Sequence, residues 1–172
     1  MRWYSCITMA CVIIIASLPA RAVTVCGEGC DFSSVQEAIN AASAGDTIEV
    51  HSGIYFEHVY VSKSLTLVGV DTGGGMPVID AEGIGSAITI SADNVTLRGF
   101  RVTNSGSCGC GNAGIKVLSD NNTIADNVAQ GNKYGIHCTG SRNSFMRNDI
   151  HDNDISMYDE GKDNVWDVRE DD

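Results

Sequence analysis

The chain contains an internal repeat of 21 residues, and no other feature narrows its fold as far. Between Ala113 and Asp167, AGIKVLSDNNTIADNVAQGNK is followed by YGIHCTGSRNSFMRNDIHDND and then ISMYDEGKDNVWD. A shift of 21 places Asn122 on Asn143 and Asn164, Ile115 on Ile136 and Met157, and Ile124 on Phe145 and Trp166. A fixed period of this length marks a solenoid whose units bury their apolar faces only against each other. The apolar pieces inside each unit are too short for helices and alternate with polar residues, which in a strand sends neighbours to opposite faces. Ile115, Val117, Ile136 and Cys138 are therefore predicted to face inward, and Lys116 and His137 outward. At about 3.3 Å per residue, one unit makes a coil of about 70 Å, room for a few short strands and turns. Coils stacked about 4.8 Å apart give a parallel β-helix.

Upstream, AITISADNVTLRGFRV is an earlier copy of the unit, with Thr96 and Leu97 meeting Thr123 and Ile124 after a shift of 27. The extra residues form the loop SGSCGCGNAG, an insertion at a corner between strands, where solenoids often carry what they bind. Earlier still, Thr47–Val50, His58–Val61 and Leu65–Val68 alternate as strands, and Asp71–Gly75 is a glycine-rich loop before PVIDA. Before them, DFSSVQEAINAASAGD offers capping-box spacing at Ser33 with Gln36 and at Ser34 with Glu37. Val35, Ala38, Ile39 and Ala42 follow at helical spacing. This predicts an amphipathic helix over 33–43 that caps the open end of the solenoid.

Met1–Ala22 combines Arg2, an apolar run from Cys6 to Leu18 and the small-residue site Ala20-Arg21-Ala22. It reads as a secretory signal peptide cut after Ala22. The protein is then secreted, held at a cell surface or placed in a periplasm-like space, and no later stretch is apolar enough to span a membrane. Residues 23–167 form one domain, and 168–172 an acidic tail. Without Arg2 and Arg21, 9 of the 11 basic residues face 22 acidic ones. Such a surface excludes nucleic acid as a partner. Ten of the acids lie between Asp149 and Asp172, a run expected to be solvated and disordered.

Five cysteines follow the signal peptide. Cys26 with Cys30 is a plausible local disulfide in an exported chain, and Cys138 reads as a small core residue. Cys108 and Cys110 leave alternatives open: a tight bridge, a bond to another chain, or a soft-metal site. The asparagines at 122, 143 and 164, at 127 and 148, and at 132 and 153 recur at turns. Stacked amides there form ladders, with a sugar- or cation-binding strip as the alternative. Asn94-Val95-Thr96 and Asn121-Asn122-Thr123 are glycosylation sequons that also belong to the repeat. Lys116, His137 and Tyr158 share one outward face and form a candidate ligand surface, able to bind a glycan by stacking and hydrogen bonds. Trp166 fills the inward place of the last partial coil. The open strand edges there are blunted by the acidic VREDD or covered by a second chain stacked end to end.

The run DFSSVQEAINAASAGDTIEVHSGIYFEHVYVSKSLTLVGVDTGGGMPVIDA, followed by DNVTLRGFRVTNSG, NNTIADN and YDEGKDNVWD, resembles right-handed parallel β-helix proteins of the NosD type. That family lies in the pectin-lyase-like superfamily, and chains similar to this one occur among archaeal exported and surface proteins. The resemblance covers nearly all of residues 23–167 and implies an all-β right-handed parallel β-helix. Functionally it implies copper handling, a carbohydrate-binding role or a polysaccharide-active enzyme. Copper would favour the soft ligands Cys108, Cys110 and Met146, with imidazoles such as His137 and His151. A glycoside hydrolase needs two carboxyl groups about 5 to 9.5 Å apart, and Asp149 and Asp152, beside His151, are the candidates, with Asp126 one coil earlier. The pectinesterase QD and DFIFG segments, GRPW, and the polygalacturonase NTD, GHG and RIK motifs are missing from the sequence. GIYFEHV is similar to the pectinesterase GTYxExV, which non-enzymatic relatives share as a structural turn. The reading that follows is a non-catalytic exported binding or structural module, with copper handling and polysaccharide cleavage as alternatives.

Overall fold

A computed structural model describes residues 22–108 and 110–170. The signal-peptide reading therefore lies, except for Ala22, outside the described residues. In chain order the elements are β1 (Ala22–Val25), α1 (Val35–Ala41), β2 (Thr47–His51), β3 (Ile54–Phe56), β4 (Val59–Val61), β5 (Thr66–Val70), β6 (Val78–Asp80) and β7 (Ile88–Ile90). There follow β8 (Thr96–Arg98), β9 (Arg101–Thr103), β10 (Ala113–Val117), β11 (Thr123–Ala125), β12 (Val128–Gln130), β13 (Tyr134–Cys138), β14 (Ser144–His151), β15 (Ile155–Asp159) and β16 (Val165–Glu170). Every named strand pairing is parallel, and the strands wind into a right-handed β-helix of about 7 turns. The first face stacks β1, β2, β5, β8, β11 and the leading halves of β14 and β16. The second stacks β3, β6, β9, β12 and the trailing halves of β14 and β16. The third stacks β4, β7, β10, β13 and β15.

The repeat sets the core because equivalent inward residues stack directly. On the first face Ile48, Leu67, Leu97, Ile124, Phe145 and Trp166 follow one another in register. The first five are fully buried, each worth about 1.5–3 kcal/mol relative to exposure. At the C-terminal end the Phe145 and Trp166 rings stack at 3.7 Å, 7° from parallel. On the third face Ile88, Ile115 and Ile136, with Ile90, Val117 and Cys138, fill the inward rows.

The corners explain the rest of the period. A residue with positive φ turns the chain, and a buried or half-buried asparagine follows it. Asn121, Arg142 and Asp163 precede Asn122, Asn143 and Asn164; Asp126 and Arg147 precede Asn127 and Asn148; Gly131 and Asp152 precede Asn132 and Asn153. Asn143 Oδ1 accepts from Asn122 N at 2.8 Å, Asn148 Oδ1 from Asn127 N at 3.1 Å, and Asn153 Oδ1 from Asn132 N at 2.9 Å. Each ladder ends one coil earlier on a backbone N–H: Val95 to Asn122, Phe100 to Asn127 and Ser105 to Asn132. A bend turns backbone N–H groups away from the sheet, and buried N–H groups need acceptors. The asparagines therefore form architectural ladders along the corners.

The cap helix spans Val35–Ala41, shorter than 33–43, with Ser34 as its N-cap and the Ser34 hydroxyl accepting from Glu37 N. The first-turn amides are met by a residue that spacing did not indicate. Glu57 accepts from Val35 N at 3.0 Å, Gln36 N at 2.9 Å and the Ser34 hydroxyl at 3.0 Å. At the other end Lys63 Nζ donates to the carbonyls of Ile39, Asn40 and Ala42. Opposite charges thus sit at the two ends that favour them. Gln36, expected in a capping box, instead bonds the backbone of Tyr60 and so covers the edge of β4.

Two expectations change. GIYFEHV is a strand at Ile54–Phe56, with the Tyr55 ring buried and its hydroxyl donating to the carbonyls of Val25 and His51. The acidic stretch from Asp149 is ordered at least through Glu170, because β15 and β16 complete the last coil and β16 pairs along nearly all of β14. Strand pairing and the Phe145–Trp166 stack outweigh charge repulsion there. Val168, Arg169 and Glu170 are part of β16, leaving only 171–172 of the expected tail outside the described residues.

Candidate ligand-binding face

The third face carries the strongest candidate. Its register aligns Tyr60, Thr89, Lys116, His137 and Tyr158 as one outward row, about 19 Å long at the coil spacing. Tyr60 and Tyr158 are 49% and 45% exposed. His137 points away from the core, as alternation requires, yet is only 8% exposed. The insertion before β10 covers it: Nδ1 lies 3.1 Å from the Gly111 carbonyl. Gly111 has φ +71°, and a Cβ there would run into the His137 ring, so only glycine permits this approach. Tyr134 and Tyr158 flank the imidazole, with ring centroids 5.4 and 5.3 Å away and 5.7 Å from each other.

This geometry fixes the chemistry of the ring. A carbonyl beside Nδ1 requires the proton on Nδ1, which leaves Nε2 an acceptor in the neutral imidazole. Nε2 is buried and makes no hydrogen bond, and the nearest carboxylate oxygen, Glu160 Oε2, is 3.8 Å away. Buried polar atoms are seldom left without a partner. Lys116 stands beside the imidazole on this face, its Nζ 3.4 Å from the Cys110 carbonyl. Cys108 and Cys110 are joined to each other, Cα to Cα 5.4 Å, and Asn112 Nδ2 reaches Cys108 Sγ at 3.0 Å. Two shallow hollows adjoin the row on either side of the exposed Ile84. One, about 200 Å³, is lined by His58, Tyr60, Ser86 and Thr89; the other, about 270 Å³, by Ser107, Cys108 and Asn112.

The candidate ligand residues Lys116, His137 and Tyr158 thus come together, and Tyr134 joins them. Sequence reasoning saw no second aromatic beside Tyr158. Tyr134 opens β13 in register with Ile155 and Ala113, and its ring lies 5.4 Å from that of His137 and 5.7 Å from that of Tyr158.

The carboxylate candidates lie elsewhere. Asp149 sits on the second face, in register with Val128 and Arg169. Asp152 occupies a corner with φ +53°, where Asp and Asn are enriched, and its Oδ2 is 3.0 Å from His151 Nδ1. Asp126 is another corner residue, held by Arg147 Nε and Nη2, each at 2.7 Å. The Arg147 hydrogen bonds keep its carboxyl below the usual range.

The metal candidates are dispersed. Met146, 37% exposed, is on the first face beside Ala125 and Asp167, away from the third face that carries His137. Cys108 and Cys110 are bonded to each other in the insertion loop, so Cys108, Cys110, His137 and Met146 do not fit one copper ion. Cys138 is buried, its thiol pushed up to about 11 by burial and then by Asp159. Among the described residues, the group of His, Cys or carboxylate side chains that does converge is Cys26, Cys30 and His51. Their ligand atoms all lie within 4.8 Å of one another, and Cys26 and Cys30 are joined. The two sulfurs are engaged in that disulfide and present no thiolate, so the trio as it stands is not a soft-ion site, and spacing alone did not bring His51 into view.

Among the described residues no helix is long and apolar enough to cross a membrane. No curated protein matches the chain. Similar solved structures are pectin methylesterases. One, in complex with a hexasaccharide, has a TM-score of 0.54 at 16% identity over 76% of this chain and 55% of that one. Pectin methylesterase PemA from Erwinia chrysanthemi has a TM-score of 0.53 at 16% identity over 79% of this chain and 56% of that one. At that identity the likeness shows the fold alone, and this chain spans just over half the length of those enzymes. The family model described as "Periplasmic copper-binding protein (NosD)" matches residues 78–171. That segment is more than half of the chain and consists of the coils described above, so the chain belongs to the NosD family.

Proposed function

We propose that the protein is an exported, non-catalytic β-helix module that binds a glycan on its third face, at Tyr134, His137 and Tyr158. The observation that carries this reading is the outward row of the third face, where the half-exposed Tyr158 ring lies 5.3 Å from the His137 ring and 5.7 Å from that of Tyr134. A sugar suits that surface, since its C–H faces stack on tyrosine while its hydroxyls accept from the Lys116 ammonium and bond the tyrosine hydroxyls. The row from Tyr60 to Tyr158 extends the surface to the length of several sugar residues. A net charge of −11 over the whole sequence favours a neutral glycan over a polyanionic one. Export is supported by the Met1–Ala22 sequence pattern and by the family's description as periplasmic.

The test is calorimetric titration of residues 23–172 with neutral oligosaccharides and with an oligogalacturonate, followed by chromatography for released products. Binding of a neutral oligosaccharide without turnover is expected. It should weaken at least tenfold, about 1.4 kcal/mol, in Tyr134→Ala and Tyr158→Ala, and stay unchanged in Asp149→Asn. Products that disappear in Asp149→Asn would replace the binding module with an enzyme. Equal affinity in both tyrosine variants would remove the site.

A further inference from the structure

The insertion before β10 carries a reactive group that the glycan face does not use. Cys108 and Cys110 are joined to each other across a single intervening residue, and both are exposed. The other disulfide, Cys26–Cys30, is half-buried and sits beside the parallel bridge between Val25 and Phe32.

The insertion is anchored at both ends without help from the sulfurs. Gly106 N donates to the Gly85 carbonyl at 2.8 Å, and Ala113 N to the Ser86 hydroxyl at 3.0 Å. A Cβ at Gly106 would lie 2.8 Å from Gly85 N, so the insertion leaves its coil in direct backbone contact with the coil before it. Reduction of the bond therefore leaves two thiols held close together, able to close again.

The two sulfurs differ in their surroundings. Asn112 Nδ2 donates to Cys108 Sγ at 3.0 Å, and among the described residues Cys110 Sγ has no such donor. Lys116 Nζ lies 3.4 Å from the Cys110 carbonyl, which puts a positive charge beside the pair. Donors and cations near a sulfur favour its thiolate. In thiol–disulfide exchange the sulfur with the more stable thiolate leaves faster, so Cys110 is the sulfur attacked and Cys108 the one that leaves. Next to Cys108, the hollow of about 270 Å³ is lined by Ile84, Ser107 and Asn112, and Ile84 is 70% exposed. An apolar wall with a few polar groups suits a side chain that flanks the cysteine of an extended peptide.

We propose that Cys108–Cys110 is a redox-active pair that oxidises peptide dithiols by thiol–disulfide exchange. One substrate thiol loses its proton to solvent, and its thiolate attacks Cys110 Sγ. The new S–S bond forms there as the Cys108–Cys110 bond breaks, with its electron pair passing to Cys108 Sγ. The second substrate thiol, also deprotonated, then attacks the substrate sulfur of the mixed disulfide, and Cys110 leaves as a thiolate. The two protein thiolates take up two protons, so the substrate loses two electrons and the pair gains two. A low-molecular-weight disulfide restores the pair by the reverse exchange.

The test mixes the purified, oxidised protein with a reduced peptide, followed by acid quenching, alkylation and mapping by mass spectrometry. A peptide with one cysteine should be caught on Cys110, with Cys108 alkylated and Cys26–Cys30 intact. With a small disulfide as terminal oxidant, a two-cysteine peptide should be oxidised about tenfold faster than by the small disulfide alone, and Cys110→Ser should abolish the gain. In the reduced protein Cys108 should alkylate at lower pH than Cys110, and Asn112→Ala should erase that difference. The mapping on the native sequence stands even where a variant fails to fold. Capture on Cys108, reduction of Cys26–Cys30 ahead of this pair, oxidation of the peptide at the unassisted rate, or an unmoved Cys108 profile in Asn112→Ala would each overturn the proposal.

Discussion

Replacing Asn143 by alanine tests whether the corner ladders hold the coils together. Asn143 is 1% exposed. Its Oδ1 accepts from Asn122 N at 2.8 Å and Asn122 Nδ2 at 3.0 Å, and its Nδ2 donates to the Ser119 carbonyl at 3.1 Å. Asn122 Nδ2 keeps the Ser119 hydroxyl, and the backbone N–H of residue 143 keeps Asn164 Oδ1. Alanine therefore strips the partner from two buried groups, Asn122 N–H and Ser119 C=O. At about 1–3 kcal/mol for each buried group left unsatisfied, the loss is about 2–6 kcal/mol. That is a large share of the roughly 5–15 kcal/mol that holds a domain together. With a urea m-value of about 2 kcal/mol/M, the midpoint should fall by about 1–3 M at unchanged slope. Asn164→Ala removes the last rung, which is half-buried, so water can replace the amide there and the cost should be smaller. Urea unfolding followed by circular dichroism measures both. A midpoint shift for Asn143→Ala below about 0.3 M, or equal costs at the two rungs, would refute the reasoning.

Cys138 makes stability depend on alkaline pH. The fold holds its thiol protonated to about 11, against 9.0 for an ordinary thiol. The contribution is therefore complete below about pH 9 and is lost as pH rises through 11, amounting to at most about 3 kcal/mol. Urea midpoints should fall more steeply between pH 9 and 11 in the native sequence than in Cys138→Ala; parallel profiles would contradict this. Glu57→Gln replaces the carboxylate at the first turn of α1 with a single neutral acceptor. It should cost about 1–2 kcal/mol and speed hydrogen exchange at Val35 and Gln36, and unchanged exchange would show that Glu57 does not hold the cap.

The third face and the N-terminal disulfide loop use different parts of one scaffold. The glycan face depends on the insertion that lengthens one coil from 21 to 27 residues and lays Gly111 over His137. The Cys26–Cys30 loop and His51 meet because β1 pairs in parallel with β2, where the Tyr55 hydroxyl links Val25 to His51. Variants at one site should therefore leave the other intact.

The sequence by itself determined the period, the stacking register and the inward rows. Each follows from alternation and from residues that recur at a fixed offset, both local properties of the chain. The pairing of Lys116 with His137 and Tyr158, and of Val128 with Asp149, comes directly from the 21-residue shift. Recurrence also picked out the asparagines, since a polar residue repeated at a turn has a structural reason to recur. The tertiary structure alone decided what sits across a corner or between distant coils. Whether an outward residue is exposed depends on what folds over it, so His137 read as a surface residue until Gly111 covered it. Tyr134 opens β13 three residues before His137, where alternation gives no sign that the two rings lie 5.4 Å apart. Glu57 and Ser34 are 23 residues apart, and no short spacing links a carboxylate to a helix end at that distance. His51 meets Cys30 across 21 residues for the same reason: contacts between coils are set by how the chain winds.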